Sequence, residues 1–292
     1  MNIKDLLIFK TVANEGSFNK AARQLNYVQS NITSRIQKLE EQFGTQLFYR
    51  HQKGITLTNE GEQLLPYAKK VIALLDEMKS IASNDHKPSG RLDIASVETV
   101  IKLPLILSKY AQAYDDVDLT LSTGVTAELK EKVLQYELDG AFVTKGAVTK
   151  EPSLNQVDVF HENLILIAGK GGKSFDEVIQ LPIIRFSDGC GYRAKLDEYL
   201  YDHEIIPTKV MELGTLETTL GSVISGLGVA YVPYSAVQEY EAQQLIDCYQ
   251  LPKKYSEITT VFIYRNDEHI SPALQTFVAT IEEVKKKVES LT

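Results

Sequence analysis

Tryptophan is absent from this sequence and cysteine occurs only twice, at Cys190 and Cys248. Two thiols are too few for a disulfide scaffold or a cysteine-based zinc cluster, and they fit a chain kept in a reducing cytoplasm. Long apolar runs are missing as well. Stretches such as 164–168 and 227–232 fall far short of the roughly 20 residues that a bilayer-spanning helix needs. Lys4, Asp5 and Lys10 interrupt the first ten residues and no small-residue cleavage site follows, so no signal peptide and no membrane partner are expected. The five histidines (His51, His86, His161, His203 and His269) are scattered and form no HExxH. No G-x-S-x-G elbow, P-loop or strand-borne G-x-G-x-x-G occurs, and GKGGK at 169–173 lacks the P-loop spacing. Neither catalysis nor a metal or organic cofactor is therefore expected.

What remains is an ordinary globular composition, 43% hydrophobic and 24% charged, over 292 residues. That length suits two or three domains. The net charge of −8 hides an asymmetry. Residues 1–87 hold 12 Lys and Arg against 9 Asp and Glu, and the other 205 residues hold 19 against 30. A slightly basic N-terminal unit joined to an acidic body points to two jobs in one chain.

The first sixty residues read as short helices. Leu6, Phe9, Val12 and Ala13 recur at helical spacing, Gly16 ends that helix, and Ser17 is placed to cap the next, where Phe18, Ala21, Ala22 and Leu25 share a face. A third helix follows a tight link at 26–28. In it Ile32, Ile36, Leu39 and Phe43 form the expected buried stripe, and Gly44 ends it. The opposite face carries Ser30, Thr33, Ser34, Gln37 and Lys38, flanked by Gln29, Asn31 and Arg35, with no acid before Glu40. Hydroxyls, amides and cations near a helix start are the groups that read base edges and grip phosphates. A solvated surface helix is the plainer alternative, and the preceding short helix and tight turn favour a helix-turn-helix. Residues 46–58 predict two short strands around Lys53-Gly54, a wing with Arg50, His51 and Lys53 at its tip, or else a plain surface hairpin. From Glu60 to about Ser83, Leu64, Ala68, Val71, Leu75, Met78 and Ala82 make a heptad seam. Such a seam pairs two helices, unless it packs on the chain's own domain. Residues 83–90 read as a linker. Strands and helices then alternate to the C-terminus, which predicts parallel, doubly wound sheets in two lobes.

The N-terminal text, above all GSFNKAARQL, ITSRIQKLEEQFGTQLF and LTNEG, resembles the winged helix-turn-helix of LysR-type transcriptional regulators over about sixty residues. GLGVAYVP and RNDEHISPALQTFV are similar to that family's effector domain, so the resemblance covers essentially the whole chain. It implies a winged helix-turn-helix at 1–59, a linker and dimerisation helix at 60–87, and a periplasmic-binding-protein-like effector domain at 88–292. The two lobes are expected at 91–160 with 265–292, and at 161–264. It also implies a homodimer or homotetramer on an inverted-repeat promoter site in double-stranded DNA, a small-molecule effector, and RNA polymerase as a further partner. One departure bears on base contacts and not on the fold: Val28-Gln29-Ser30-Asn31 stands where many members have Ser-Gln-Pro-Ala.

On this reading Arg35, Lys38, Arg50 and Lys53 position the protein on phosphates, and Gln29, Ser30, Asn31, Thr33 and Ser34 read bases. Ligands of such lobes sit at the carboxyl ends of parallel strands. The effector candidates there are Ser96, Glu98, Thr99, Thr123, Thr126, Thr144, Ser187, Cys190, Arg193 and Thr215. The hydroxyls and Arg193 suit a small polar metabolite or an anion, against which Glu98 counts. Helix capping is the plainer role for each Ser and Thr. Cys190 falls at an expected helix start, where a thiol pKa would be lowered; an inert thiol in a glycine turn is the alternative to a redox sensor. A solute-binding transport protein shares the two-lobed architecture, and the N-terminal helix-turn-helix opposes that reading.

Overall fold

The computed structural model describes residues 2–51, 54–82, 88–98, 100–147, 151–267 and 270–289. The chain divides near residue 87 into two compact units. Lys53, Thr99, His86, His269 and most of the expected linker lie outside the described residues.

The N-terminal unit opens with α1 (Ile3–Glu15), started by a capping box between Asn2 and Asp5 and stopped by Gly16 in the left-handed region at φ +57°. Ser17 caps α2 (Phe18–Gln24). Its end turns sharply, with Asn26 at φ +57° and the Tyr27 N–H donating to the Ala22 carbonyl. Then α3 (Gln29–Phe43) runs to Gly44. Ile32, Ile36 and Leu39 are buried against Leu6, Phe9, Val12, Ala21 and Ala22. Phe43, expected to complete the stripe, is 40% exposed, one residue before Gly44 ends the helix.

Strands β1 (Phe48–His51) and β2 (Gly54–Leu57) pair antiparallel as the wing. Phe48 is its anchor, edge-on to Phe9 and Phe18. Helix α4 (Asn59–Ala82) follows. Thr58 ties its start down, accepting from the Gly61 N–H and donating to the Gln46 carbonyl. A Cβ on Gly61 would lie 2.3 Å from the Leu47 oxygen, so only glycine fits, and this accounts physically for LTNEG.

The C-terminal unit holds one nine-stranded sheet. Its first half comprises β3 (Gly90–Ser96), α5 (Leu103–Ala113), β4 (Val117–Thr123), α6 (Thr126–Leu134) and β5 (Gly140–Thr144). Next come β6 (Leu154–Gly169), α7 (Phe175–Val178), β7 (Ile183–Arg185), α8 (Gly191–Asp202), β8 (Val210–Glu212), α9 (Leu216–Ile224), β9 (Val229–Pro233), α10 (Gln238–Ala242) and β10 (Ile246–Tyr249). The chain returns through α11 (Lys253–Ser256) and β11 (Glu257–Arg265) to α12 (Pro272–Glu289). The strand order is β4-β3-β5-β11-β6-β9-β7-β8, with β10 beside β6.

The sheet corrects the expectation of purely parallel pairing. Strand β3 lies parallel to β4 and β5, and β7 to β8 and β9, whereas β11 is antiparallel to β5 and β6, and β6 to β9 and β10. The cause is β6. This single 16-residue strand pairs with β11 over 154–163 and with β9 over 164–168, so it passes from one half of the sheet into the other. Residues 257–264, assigned from sequence to the second lobe, carry β11, which hydrogen-bonds to β5 in the first; apolar periodicity identifies a strand and not its neighbour. Leu92, Ile106, Tyr110, Phe142, Phe262 and Phe277 form the core of the first lobe, and Leu166, Ile184, Leu196, Val223 and Tyr231 that of the second.

Candidate functional site

Two surfaces carry functional chemistry. The first is the outer face of α3. Gln29, Ser30, Asn31, Ser34 and Lys38 are exposed and Thr33 is half-buried, while Ile32, Ile36 and Leu39 opposite them are at most 1% exposed. Val28, at the cap position, offers no side-chain hydrogen bond to the helix start. The Asn31 N–H donates to the Val28 carbonyl, and the Gln29 and Ser30 N–H groups ahead of it receive no side-chain cap, as at helix starts that hold a phosphate. Sequence reasoning passed over three exposed neighbours of this start and of the wing: Tyr27, Val28 and Tyr49. Their signal was large apolar side chains in a segment with no core to join.

Not every cation assigned to phosphate is free. Arg35 forms an ion pair with Asp5 at 2.7 Å and donates through Nε to Asn31 at 3.0 Å. Arg50 lies over the Phe18 ring, 5.0 Å from its centroid, which holds the wing arginine against α2. The Ile55 N–H donates to the Gly16 carbonyl, so the hairpin is tied to the α1–α2 turn rather than waving free.

The second surface is a cavity of about 830 Å³ between the two halves of the C-terminal unit. It is lined by Thr126 and Thr144 from one half, by Cys190, Arg193, Lys195, Asp197 and Glu198 at and after the start of α8, and by Glu257, Ile258 and Thr259 from β11. Of the sequence candidates, Thr126, Thr144, Cys190 and Arg193 are brought together here, and Ser96, Glu98, Thr123, Ser187 and Thr215 do not line it. Ser96 is 2% exposed and spends its hydroxyl on the Val97 carbonyl. Thr126, 1% exposed, receives the Thr144 N–H. Thr215 caps α9 through the Thr218 N–H. Lys195, Asp197, Glu198 and Glu257 were missed because they project from middles and starts of elements, and Lys145, directly after β5, was passed over for its neighbour Thr144.

The electrostatics of the cavity run against the expected anion. Arg193 faces Glu212 at 3.1 Å, Asp197 at 3.6 Å and Asp188 at 3.7 Å. Lys145 pairs with Asp158 at 2.6 Å, and Lys195 donates to the Lys254 carbonyl. Among the described residues Glu257 has no ion pair. The lining cations are thus already engaged and a carboxylate is left over. Cys190 also departs from expectation. It sits at the start of α8, yet burial pushes its thiol above the ordinary range, outweighing the Tyr192 and Arg193 amides and the Arg193 guanidinium that pull it down. A thiol held protonated is a poor redox sensor.

Lys170, Gly171 and Gly172, in the glycine-rich GKGGK, surround the Asp247 carboxylate. It accepts from the Lys170 ammonium at 2.6 Å and from the N–H groups of Gly171 and Gly172 at 3.0 and 2.8 Å. These contacts hold its pKa down at about 2. Among the described residues no group of three His, Cys, Asp or Glu could hold a metal ion, and no helix is long and apolar enough to cross a membrane.

The profile of the bacterial regulatory helix-turn-helix protein, lysR family, matches residues 3–62, and that of the LysR substrate binding domain matches 85–286. The HTH-type transcriptional regulator SoxR of Arthrobacter sp. (strain TE1826) is 47% identical over 100% of both chains. The HTH-type transcriptional regulator CzcR of Bacillus subtilis (strain 168) is 41% identical over 98% of each. Among solved structures, a full-length OxyR variant from Pseudomonas aeruginosa aligns with a TM-score of 0.73 at 20% identity, covering 97% of this chain and 94% of that one. CbnR complexed with its target DNA aligns at 0.64 and 21% identity, covering 97% and 99%.

Proposed function

Because this chain belongs to the LysR family of DNA-binding transcriptional regulators, we propose that it grips an inverted-repeat operator with α3 in the major groove, as a homodimer or a pair of homodimers. Its occupancy or geometry on DNA would be set by a small molecule in the cavity beside α8. The observation that carries the DNA reading is the polar face of α3 over 29–38, with no acid before Glu40, above an uncapped helix start. A solvated surface helix more often mixes Glu with Lys there. Lys38 supplies phosphate affinity together with Arg50, whose charge the Phe18 ring orients without neutralising, and the amides and hydroxyls of Gln29, Ser30, Thr33 and Ser34 supply base choice. One helix covers too few base pairs for genomic discrimination, so two copies are needed. RNA polymerase is the partner of such a regulator when it activates.

The test is a gel-shift titration on a duplex from the chain's own upstream region. Ser34→Glu places a carboxylate against DNA and is expected to abolish the shift; unchanged affinity would take α3 out of the groove. For the cavity, engaged cations and the unpaired Glu257 support a neutral or amine-bearing effector over a dicarboxylate. Putrescine and betaine against succinate and malonate, scored by thermal shift, separate these classes, since a true ligand present at 100 times its Kd stabilises by about 2.7 kcal/mol. Stabilisation by the diacids alone would reverse the assignment.

A further inference from the structure

A short relay of side chains runs from α1 to the exposed face of α3. Asp5, in the first turn of α1, is 5% exposed. One of its oxygens accepts the Asn2 N–H at 3.0 Å, and the other faces Arg35 Nη1 at 2.7 Å. Arg35 then donates through Nε to Asn31 Oδ1 at 3.0 Å, one helical turn back. A guanidinium has donors and no acceptor. The atom of the Asn31 amide that meets it is therefore the oxygen, and the NH2 group is turned away. Asn31 itself is exposed, in the first turn of α3.

An asparagine that reads a base commonly uses both ends of its amide, donating to adenine N7 while accepting from adenine N6. Here one of the two lone pairs of the accepting oxygen is taken by Arg35, which fixes the amide plane and weakens the oxygen as a second acceptor. Resting on the reading that α3 enters the major groove, we infer that Asn31 meets DNA with its NH2 end first, as a hydrogen-bond donor, and that Arg35 is the positioning residue that turns it so. The base favoured opposite Asn31 then offers acceptors, as guanine does through O6 and N7 or thymine through O4. Adenine N6 would have to share an oxygen already bonded to Arg35, and the cytosine amino group meets a donor. Arg35, with its charge spent on Asp5, does not hold a phosphate. The buried carboxylate that begins α1 thereby sets the base preference of a different helix.

The test is selection of full-length protein on a randomised duplex library, comparing wild type with Arg35→Lys. Lysine keeps a cation for Asp5 but has no planar Nε–H to hold the Asn31 oxygen. The expected result is an unchanged melting temperature and a motif altered at one position per half-site, where adenine is enriched about tenfold over wild type, a size within what a base-edge contact is worth. Asn31→Ala should flatten that same position. If Arg35→Lys unfolds, the double variant Asp5→Asn with Arg35→Gln replaces the ion pair by a neutral one and should give the same change. Its log K against log[salt] slope should also equal that of wild type. An identical motif in the variants, or a slope shallower by about 0.9 per copy, the mark of a lost phosphate contact, overturns the inference. Failure of the wild type to enrich any sequence would instead overturn the groove reading beneath it.

Discussion

Asp247 shows what a fold can do with a glycine-rich turn. A run of glycines and lysines at 169–173 invites a phosphate, and the fold fills it with the chain's own carboxylate. The contacts hold the Asp247 pKa near about 2, below the ordinary value of about 3.9. A group whose folded pKa is depressed stabilises fully above its unfolded pKa, and that contribution fades as pH falls through the folded one. Asp247→Asn is therefore expected to cost about 1–2 kcal/mol at pH 7. The gap to wild type should shrink between pH 4 and pH 2 in urea titrations; a gap constant across that range would show that charge is not its source. Cys190 and Arg193 carry the same lesson. Their place at the start of α8 was readable, and their burial and carboxylate neighbours were not, because neither is local in sequence.

At the scale of elements, periodicity served best where one face is buried and the other is wet. The helices and wing of the N-terminal unit stand where the apolar spacing and the caps placed them, and the lapse at Phe43 lies in a last turn. Periodicity served least in β6, whose first ten residues (154–163) interleave Asn155, Gln156, Asp158 and His161 with apolar positions and offer no apolar run. Helix α4 falls between. The proposed seam counted Leu64 and Ala68, yet both pack on the core of their own unit. The face left open is Tyr67, Val71, Leu74 and Met78, at 69%, 39%, 49% and 64% exposure and again spaced 4, 3 and 4. A helix presents such a stripe to another helix, and a second copy of α4 is the natural partner. Leu74→Glu is expected to shift sedimentation toward monomer and weaken operator binding. Ala73 is exposed too, but it lies off the stripe, so Ala73→Glu should change neither. A dimer that survives Leu74→Glu would place the contact elsewhere.

For the molecule as a whole, the two halves of the C-terminal unit meet through glycine. A Cβ on Gly191 would lie 2.4 Å from the Thr144 hydroxyl oxygen, and one on Gly189, at φ +84°, would press on Val125 at 3.3 Å. Gly191→Ala should force α8 away from β5. DNA binding should persist, and the thermal shift given by whichever compound stabilises the wild type should be lost; an undiminished shift would show that the halves need not touch. The halves are also joined through the strand they share. Strand β6 keeps its hydrogen bonds on both sides of the crossing, but its register with β11 slips between Thr260 and Val261, where Phe160 and Asp158 are the successive partners and Val159 is skipped. A bulge of this kind concentrates twist in one place. If one half turns against the other, Val159 is where the twist can be taken up without unzipping the ladder, and the expected outcome is that the amides flanking it resist deuterium exchange as strongly with a stabilising compound bound as without it.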